Sequence, residues 1–240
     1  MKVALILLGI VVLYVGAEMA ALYYRSNHLP DLPKIDQSDK VLGSGPGLRY
    51  IAAGDSTAVG YGASGLNKTY AYQIAEFLAK NHTLEYKNIS VIGYKTQDVL
   101  DKQVQQIIDF KPDVVTISMG PNDATHLVSA QKILSNYKAV VQKLEQGTAA
   151  KIYITDIANF DDATILPWFY YDLMEYRSRQ MNQQILALAD DRVKIVNIHD
   201  FGWSQYNRKD TYAADHFHPN DLGYQNWANA FLDKIDKDYQ

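Results

Sequence analysis

From residue 48 onward, short apolar runs alternate with longer segments in which apolar residues return every three or four positions. A run of roughly four to eight mostly apolar residues is typical of a buried strand, and the longer repeat is typical of a helix packed on one side. The runs predict a strand within 85–92 and strands over 48–53, 114–119, 151–157 and 193–198. The repeating segments predict helices over 69–80, 96–110, 129–145 and 172–189, and a last helix through 232 that Asn220 or Asp221 caps.

Strands that alternate with helices in this way predict an α/β fold with a mainly parallel sheet. Each parallel strand needs a crossover to reach its neighbour, and the crossover helices then cover both faces of the sheet. The pattern therefore predicts a three-layer α/β/α sandwich around a five-stranded sheet. The length of 240 residues fits one domain with a full core.

The N-terminus carries a different pattern. An uninterrupted apolar run extends from Val3 to Ala17, and Glu18 separates it from a second run that ends at Tyr24. As a helix, this segment would be about 33 Å long, close to the roughly 30 Å hydrocarbon thickness of a bilayer. A cleaved signal peptide is the alternative, because Lys2 precedes the apolar centre and small residues close it. We favour a membrane anchor, and a buried core helix fits least well.

The segment over 26–47 contains prolines, glycines and scattered charges without a helical or strand period. Such a composition is typical of a linker. The predicted organisation is therefore an anchor or signal peptide over 1–25, a linker over 26–47 and a folded domain over 48–240. Whether it is anchored or secreted after cleavage, we expect this domain to lie outside the cytoplasmic membrane.

Composition excludes several classes of protein and site. The net charge of −4 and the lack of a Lys/Arg cluster argue against a nucleic-acid partner. The absence of cysteine excludes disulfides, thiolate zinc sites and iron–sulfur clusters. We predict neither a metal nor any other cofactor.

Three short motifs follow, or lie close to, predicted strands. They are Gly54-Asp55-Ser56, Gly120-Pro121-Asn122-Asp123 and Asp215-His216-Phe217-His218-Pro219. In this order they offer a nucleophile, a side-chain donor for an oxyanion, and an acid with a histidine. Each motif alone is also a common turn sequence. Their joint placement near strand ends, where α/β proteins gather their ligand sites, indicates a serine hydrolase.

The third motif has the spacing of an acid–base pair. Asp215 and His218 are three residues apart, so a turn can bring the carboxylate to one imidazole nitrogen and leave the other for Ser56. Pro219 restricts His218 to extended backbone. His216 is the rival histidine, with a spacing that suits this geometry less well. A metal site would need a third ligand of defined geometry. The remaining histidines, which lie in the linker, after a helix or without a matched acid, are His28, His82, His126 and His199.

With these motifs the chain resembles the SGNH (GDSL-type) hydrolase family. The four blocks of the family correspond in order to Gly54-Asp55-Ser56, Gly93, Gly120-x-Asn122-Asp123 and Asp215-x-x-His218. The resemblance spans residues 48–232 and implies the flavodoxin-like fold of that family.

The resemblance also implies roles for residues. Ser56 would be the nucleophile, His218 the general base and then acid, and Asp215 the residue that orients His218. The oxyanion hole would combine the backbone N–H groups of Ser56 and Gly93 with the side chain of Asn122. The two residues after Gly93, which are often small in the family, are here the bulkier Tyr94 and Lys95.

An SGNH hydrolase is expected to cleave carboxylic esters through an acyl-serine intermediate. The expected substrate is a lysophospholipid, a short acyl ester or an O-acetyl group on an extracellular glycan. One alternative is an O-acyltransferase, in which a hydroxyl of a glycan replaces water. Another is a binding module that keeps the fold without catalysis.

An aromatic segment between Ala158 and Tyr171 follows the fourth predicted strand. It can form a lid or a wall of the acyl pocket, with Trp168 and Phe169 as substrate-binding residues. It can equally form the first turn of the long helix and pack that helix onto the core.

Overall fold

A six-stranded sheet forms the centre of the computed structural model, which describes residues 2–160, 163, 165–201 and 208–239. In chain order the strands are β1 (Lys40–Leu42), β2 (Gly47–Gly54), β3 (Thr83–Asn88), β4 (Val114–Ser118), β5 (Lys151–Thr155) and β6 (Val193–Val196). They lie side by side in the order β1-β3-β2-β4-β5-β6. All neighbours are parallel except β1, which pairs antiparallel with β3.

The helices between and around the strands are α1 (Lys2–Ser26), α2 (Ser56–Val59), α3 (Tyr70–Leu78), α4 (Thr96–Asp98), α5 (Val104–Phe110), α6 (Pro121–Thr125), α7 (Ala130–Gly147), α8 (Trp168–Leu186) and α9 (Asp221–Tyr239). A π-helical turn over Val99–Gln103 joins α4 to α5, so the predicted helix over 96–110 is one continuous helical segment. Short 3₁₀ turns cover Leu66–Lys68 and Arg208–Thr211.

The predicted α/β/α architecture is confirmed, but the count of five strands is wrong. The additional strand is β1, which lies within the segment expected to be a linker. Three residues at the edge of a sheet are too few to display an alternating pattern, which explains why the sequence did not indicate this strand. The long helix also begins at Trp168 rather than at residue 172, so its first turn contains the aromatic residues that precede 172.

The core lies on both faces of the sheet. Successive strand residues alternate between the faces, so that Ile51 points to one side and Tyr50 to the other. The Ile51 side packs against α5, α7 and α8, and the Tyr50 side packs against α3 and α9. This burial on both faces explains why β4 reads as a continuous apolar run in the sequence.

Two glycines shape the carboxyl edge of the sheet, where the motifs lie. Gly54 ends β2 with φ 126°, and a Cβ there would lie 1.9 Å from the carbonyl oxygen of Ser118 at the end of β4. Gly120 has φ 109°, and a Cβ there would lie 2.8 Å from the Tyr137 hydroxyl. Only glycine tolerates both the positive φ and the close approach. The chain after β2 therefore stays against the chain after β4.

The first helix, α1, contains no buried residue and is long and apolar enough to cross a membrane. A signal sequence would have the same properties. The helix is consistent with either of the two N-terminal predictions.

Candidate active site

Ser56 is the first residue of α2, directly after β2. The preceding Asp55 caps this short helix, because its carboxylate accepts hydrogen bonds from the Thr57 backbone N–H at 2.9 Å and the Thr57 hydroxyl at 2.6 Å. The first N–H groups of a helix have no acceptor within the helix. The fold therefore presents both the hydroxyl and the backbone N–H of Ser56 at the carboxyl edge of the sheet.

His218 and Asp215 lie beside this serine. The Ser56 Oγ is 2.9 Å from the Nε2 of His218, and the Nδ1 of His218 is 2.6 Å from an Asp215 carboxylate oxygen. The other Asp215 oxygen accepts the backbone N–H groups of Phe217 and His218, both at 3.0 Å. The structure thus brings Ser56, His218 and Asp215 together in a continuous hydrogen-bonded relay. His216 is exposed and lies outside this relay.

The electrostatics of the relay keep Asp215 ionised. Burial alone would raise the pKa of this carboxyl, but the His218 side chain and the backbone N–H groups of the turn outweigh burial and hold the pKa below its ordinary value. The ring of His218 lies edge-on to the rings of Tyr61 and Phe217, with centroids 4.8 and 5.2 Å away. These contacts restrict the imidazole to the plane that faces Ser56.

The turn that carries His218 is anchored to the start of α9 by Asn220. Its side-chain N–H groups donate to the carbonyl oxygens of Asp210 and Tyr212, and its oxygen accepts the N–H groups of Leu222 and Gly223. The prediction that Asn220 or Asp221 caps the last helix is confirmed for Asn220. This anchoring fixes the position of the histidine relative to the helix that follows it.

Asn122 lies in α6, beyond β4, and lines the same cavity as Ser56. Its side chain donates to the Tyr94 carbonyl oxygen at 3.0 Å, and this bond orients the amide. The next residue, Asp123, accepts the backbone N–H and the hydroxyl of Thr96, both at 2.8 Å. Together these contacts tie the Gly120–Asp123 motif to the turn that follows Gly93.

Gly93 lies in an exposed turn with φ 82°, directly before Tyr94. The two bulky residues after it do not narrow the cavity beside Ser56. Neither Tyr94 nor Lys95 lines the cavity, and the centre of the Tyr94 ring lies 4.8 Å from the Lys102 ammonium.

The carboxyl of Asp55 has a property that its place in a common turn motif does not indicate. Its carboxyl is fully buried, and burial raises its pKa to about 6 against the opposing effect of the Thr57 hydrogen bonds and the nearby His218. One of its oxygens, Oδ2, has no hydrogen-bond partner within the described part of the chain. A titrating acid therefore lies next to the serine.

A cavity of about 60 Å³ opens beside Ser56. Its lining is mainly apolar, and the residues farthest from the motifs in sequence include Asn159, Phe160, Ala163 and Trp227. Trp227 is on α9 and is almost completely buried. Sequence reasoning missed its part in the cavity, since a tryptophan within an amphipathic helix is usually a core residue.

The predicted substrate-binding pair does not line this cavity. Trp168 is 57% exposed at the start of α8, and its indole N–H donates to the Tyr14 hydroxyl of α1 at 3.1 Å. Phe169 packs edge-on against Trp168. The cavity is instead bordered by the earlier part of the aromatic segment, at Phe160. Residues 161, 162 and 164 of that segment lie outside the described residues.

Within the described ranges, no group of three or more histidine or acidic side chains is arranged to hold a metal ion. The chemistry that the described residues can perform is activation of a serine hydroxyl by an imidazole that a carboxylate orients. Asn122 and free backbone N–H groups can receive the negative charge that develops on an attacked carbonyl oxygen.

Comparison with known proteins points in the same direction. A model of the GDSL-like Lipase/Acylhydrolase family matches residues 52–225. None of the curated proteins matches the chain.

Three solved structures illustrate the similarity of the fold. The lipase Lip_vut3 from a goat rumen metagenome is 20% identical, with a TM-score of 0.62 over 78% of this chain and 96% of that one. TesA is 17% identical, with a TM-score of 0.64 over 79% and 98%. The acetylxylan esterase Axe2 from Geobacillus stearothermophilus is 18% identical, with a TM-score of 0.60 over 81% and 96%. At these identities the likeness establishes the fold.

Proposed function

Because this chain belongs to the GDSL-like lipase/acylhydrolase family, and is thus a carboxylic ester hydrolase, we propose that it cleaves short acyl esters through an acyl-serine intermediate on Ser56. The observation that carries this mechanism is the unbroken relay from Ser56 through His218 to Asp215, with distances of 2.9 and 2.6 Å. Each distance is within hydrogen-bonding range.

In the first half of the reaction, the Nε2 of His218 accepts the proton of the Ser56 hydroxyl as the Oγ attacks the ester carbonyl carbon. The ionised Asp215 stabilises the imidazolium that forms and holds the tautomer in which Nδ1 carries the proton. When the tetrahedral intermediate collapses, the bond to the alcohol oxygen breaks and His218 donates its proton to that oxygen. The acyl group remains on Ser56.

In the second half, His218 accepts a proton from water, and the resulting hydroxide attacks the acyl carbon. The bond to Ser56 Oγ then breaks, His218 returns the proton to the serine, and the carboxylic acid leaves. In both halves the negative charge on the former carbonyl oxygen faces the N–H groups of Ser56 and Gly93 and the side chain of Asn122.

The size of the cavity supports a short acyl group. A cavity of about 150 Å³ in another protein holds one benzene molecule. The cavity beside Ser56 measures about 60 Å³ and is mainly apolar, which suits an acetyl group or a similarly short chain. Among the structural neighbours, Axe2 is described as an acetyl-xylooligosaccharide esterase. We therefore favour short acyl or O-acetyl esters over lysophospholipids.

The location proposed for this activity is the outer side of the cytoplasmic membrane. In this proposal α1 is an uncleaved anchor, the following residues are a linker, and β1 onward forms the hydrolase domain. Mass spectrometry of the mature N-terminus tests this assignment. A mature chain that begins at Glu18 would show that the segment is a cleaved signal peptide instead.

The catalytic proposal is tested with p-nitrophenyl acetate and the purified full chain. Wild-type protein is expected to release p-nitrophenol, and Ser56→Ala is expected to lose at least about 10³-fold in kcat. Ser135→Ala, which removes an exposed hydroxyl of α7, is the matched control and should retain wild-type turnover. Equal turnover by wild type and Ser56→Ala would refute the mechanism.

A further inference from the structure

A second histidine lies between two carboxylates behind the cavity wall. The side chain of His199 is 3% exposed and follows β6. Its Nε2 is 3.0 Å from a Glu175 carboxylate oxygen of α8, and its Nδ1 is 2.8 Å from an Asp200 carboxylate oxygen. Sequence reasoning found no acid matched to this histidine, because Glu175 reaches it only through the packing of α8.

A proton on each nitrogen of His199 would place a positive ring between the two carboxylates, whereas a neutral imidazole has one N–H and one acceptor. Burial alone would lower the pKa of His199, but Glu175 and Asp200 outweigh burial and raise it. The two carboxylates therefore favour the imidazolium form of His199.

The other charged groups around His199 come from two elements. Arg179 of α8 lies 2.7 Å from Glu175 and 3.8 Å from Asp200, so two cations and two anions balance. At the end of β5, an Asp156 oxygen accepts the His199 backbone N–H at 3.0 Å. Burial raises the pKa of Asp156 to about 7, so its own charge changes near neutral pH.

The cluster is connected to the cavity beside Ser56. The Asn159 side chain donates to the His199 carbonyl oxygen at 3.2 Å, and Phe160 follows Asn159 directly in the chain. Both Asn159 and Phe160 line the cavity. The Phe160 ring also lies against Phe217, 6.4 Å between centroids, next to the catalytic turn.

We propose that His199 is a positioning residue, which in its protonated form is held between Glu175 and Asp200 and thereby holds Asn159, with the adjacent Phe160, as the wall of the acyl cavity. Loss of its proton removes the attraction between His199 and the two carboxylates, and the wall loosens. The acyl selectivity of the enzyme then changes with pH independently of the relay at Ser56. The selectivity part of this inference rests on the proposed esterase function, and the link between His199 and Phe160 does not.

The link is tested by ¹⁵N–¹H NMR of the full chain in detergent micelles, titrated from mildly acidic to alkaline pH. The expected result is that the His199 ring carries protons on both nitrogens at neutral pH, and that the Phe160 amide resonance shifts with the same midpoint as the ring. In His199→Gln the Phe160 shift at that midpoint should disappear. His82→Gln, which removes a histidine whose ring bonds to the Leu78 carbonyl oxygen at the end of α3, is the control and should retain it.

The consequence for selectivity is tested by the ratio of kcat/KM for p-nitrophenyl acetate to that for p-nitrophenyl butyrate. In the wild type and in His82→Gln, the ratio should fall by at least about threefold as the pH rises through the titration midpoint of His199. The change should come mainly from KM. In His199→Gln it should stay at the value of the alkaline wild type at every pH. Glu175→Asp should retain a smaller pH-dependent change, whereas Glu175→Gln should abolish it.

Two results would overturn the inference. One is a His199 ring with a single proton at neutral pH, or a Phe160 amide that does not follow the ring. The other is a folded His199→Gln whose ratio still changes with pH as in the wild type. Absence of ester turnover in the wild type would refute the proposed function instead, and the NMR titration would still decide whether His199 controls the wall.

Discussion

The Oγ of Ser56 lies 2.9 Å from the Nε2 of His218, although 162 positions separate the two residues in the chain. One is supplied by the turn after β2 and the other by the turn before α9. Their contact depends on Asp215, which fixes the imidazole, and on Asn220, which fixes the turn.

Asp215→Asn tests the orientation of the imidazole. An amide at this position can donate to Nδ1 and so favour the wrong tautomer, and the expected loss is about 10⁴-fold in kcat with an unchanged fold. Stopped-flow measurement of p-nitrophenyl acetate hydrolysis provides the comparison. Asp221→Asn is the control, since that carboxylate binds Ser64 in the adjacent turn and not His218. Equal losses in the two variants would indicate a general effect on the turn.

Asn122→Ala tests the side-chain donor for the oxyanion. The donor acts on charge that develops in the transition state, so kcat should fall by about 10²- to 10³-fold while KM changes little. Steady-state kinetics on one short ester separate the two parameters. A raised KM with unchanged kcat would mean that Asn122 binds the ground state and that the oxyanion lies elsewhere.

The buried Asp55 predicts a pH dependence of stability. Its pKa is raised from 3.8 to about 6, so the folded state binds its proton more tightly than the unfolded state does. The stability that this proton contributes is complete below the unfolded pKa and is lost as pH rises through the folded pKa. By linkage at about 1.4 kcal/mol per pKa unit, the loss is at most about 3 kcal/mol.

Urea unfolding of the full chain in mild detergent, at several pH values from about 4 to 7, measures this loss. Asp55→Asn should flatten the pH dependence of the unfolding free energy, because its amide keeps an acceptor for Thr57 but does not titrate. Asp101→Asn, at an exposed position of the π-helical turn, should follow the wild type. An Asp55→Asn profile as steep as the wild-type profile would place the titrating group elsewhere.

The cavity predicts that Trp227, rather than Trp168, limits the length of the acyl chain. Trp227→Leu removes volume next to the cavity and should raise kcat/KM for p-nitrophenyl octanoate relative to acetate by about tenfold. Trp168→Leu is the matched control, because that ring is exposed and outside the cavity, and its chain-length preference should be that of the wild type. Thermal melting shows whether the loss of buried volume lowers stability. The reverse pattern in the two variants would locate the acyl chain along α8.

The sequence by itself determined the α/β architecture and the family, because both depend on local information. The two-residue and 3.6-residue periods record which side of each element is buried, and the motifs record turns that need particular residues, such as Gly54 and Asn220. The spacing of Asp215 and His218 likewise shows a contact that one turn can make. These features can be predicted without knowledge of the tertiary contacts.

Other features were decided only by tertiary structure. β1 forms by pairing antiparallel with β3 at the edge of the sheet. The position of Trp227 at the cavity depends on how α9 packs on the sheet. The pairing of His199 with Glu175 depends on α8 lying against the end of β6. Burial and long-range pairing, which set the pKa of Asp55 and the shape of the cavity, depend on surroundings that distant segments provide. A linear pattern carries no record of those surroundings, so the residues that select the substrate are found only in the folded chain.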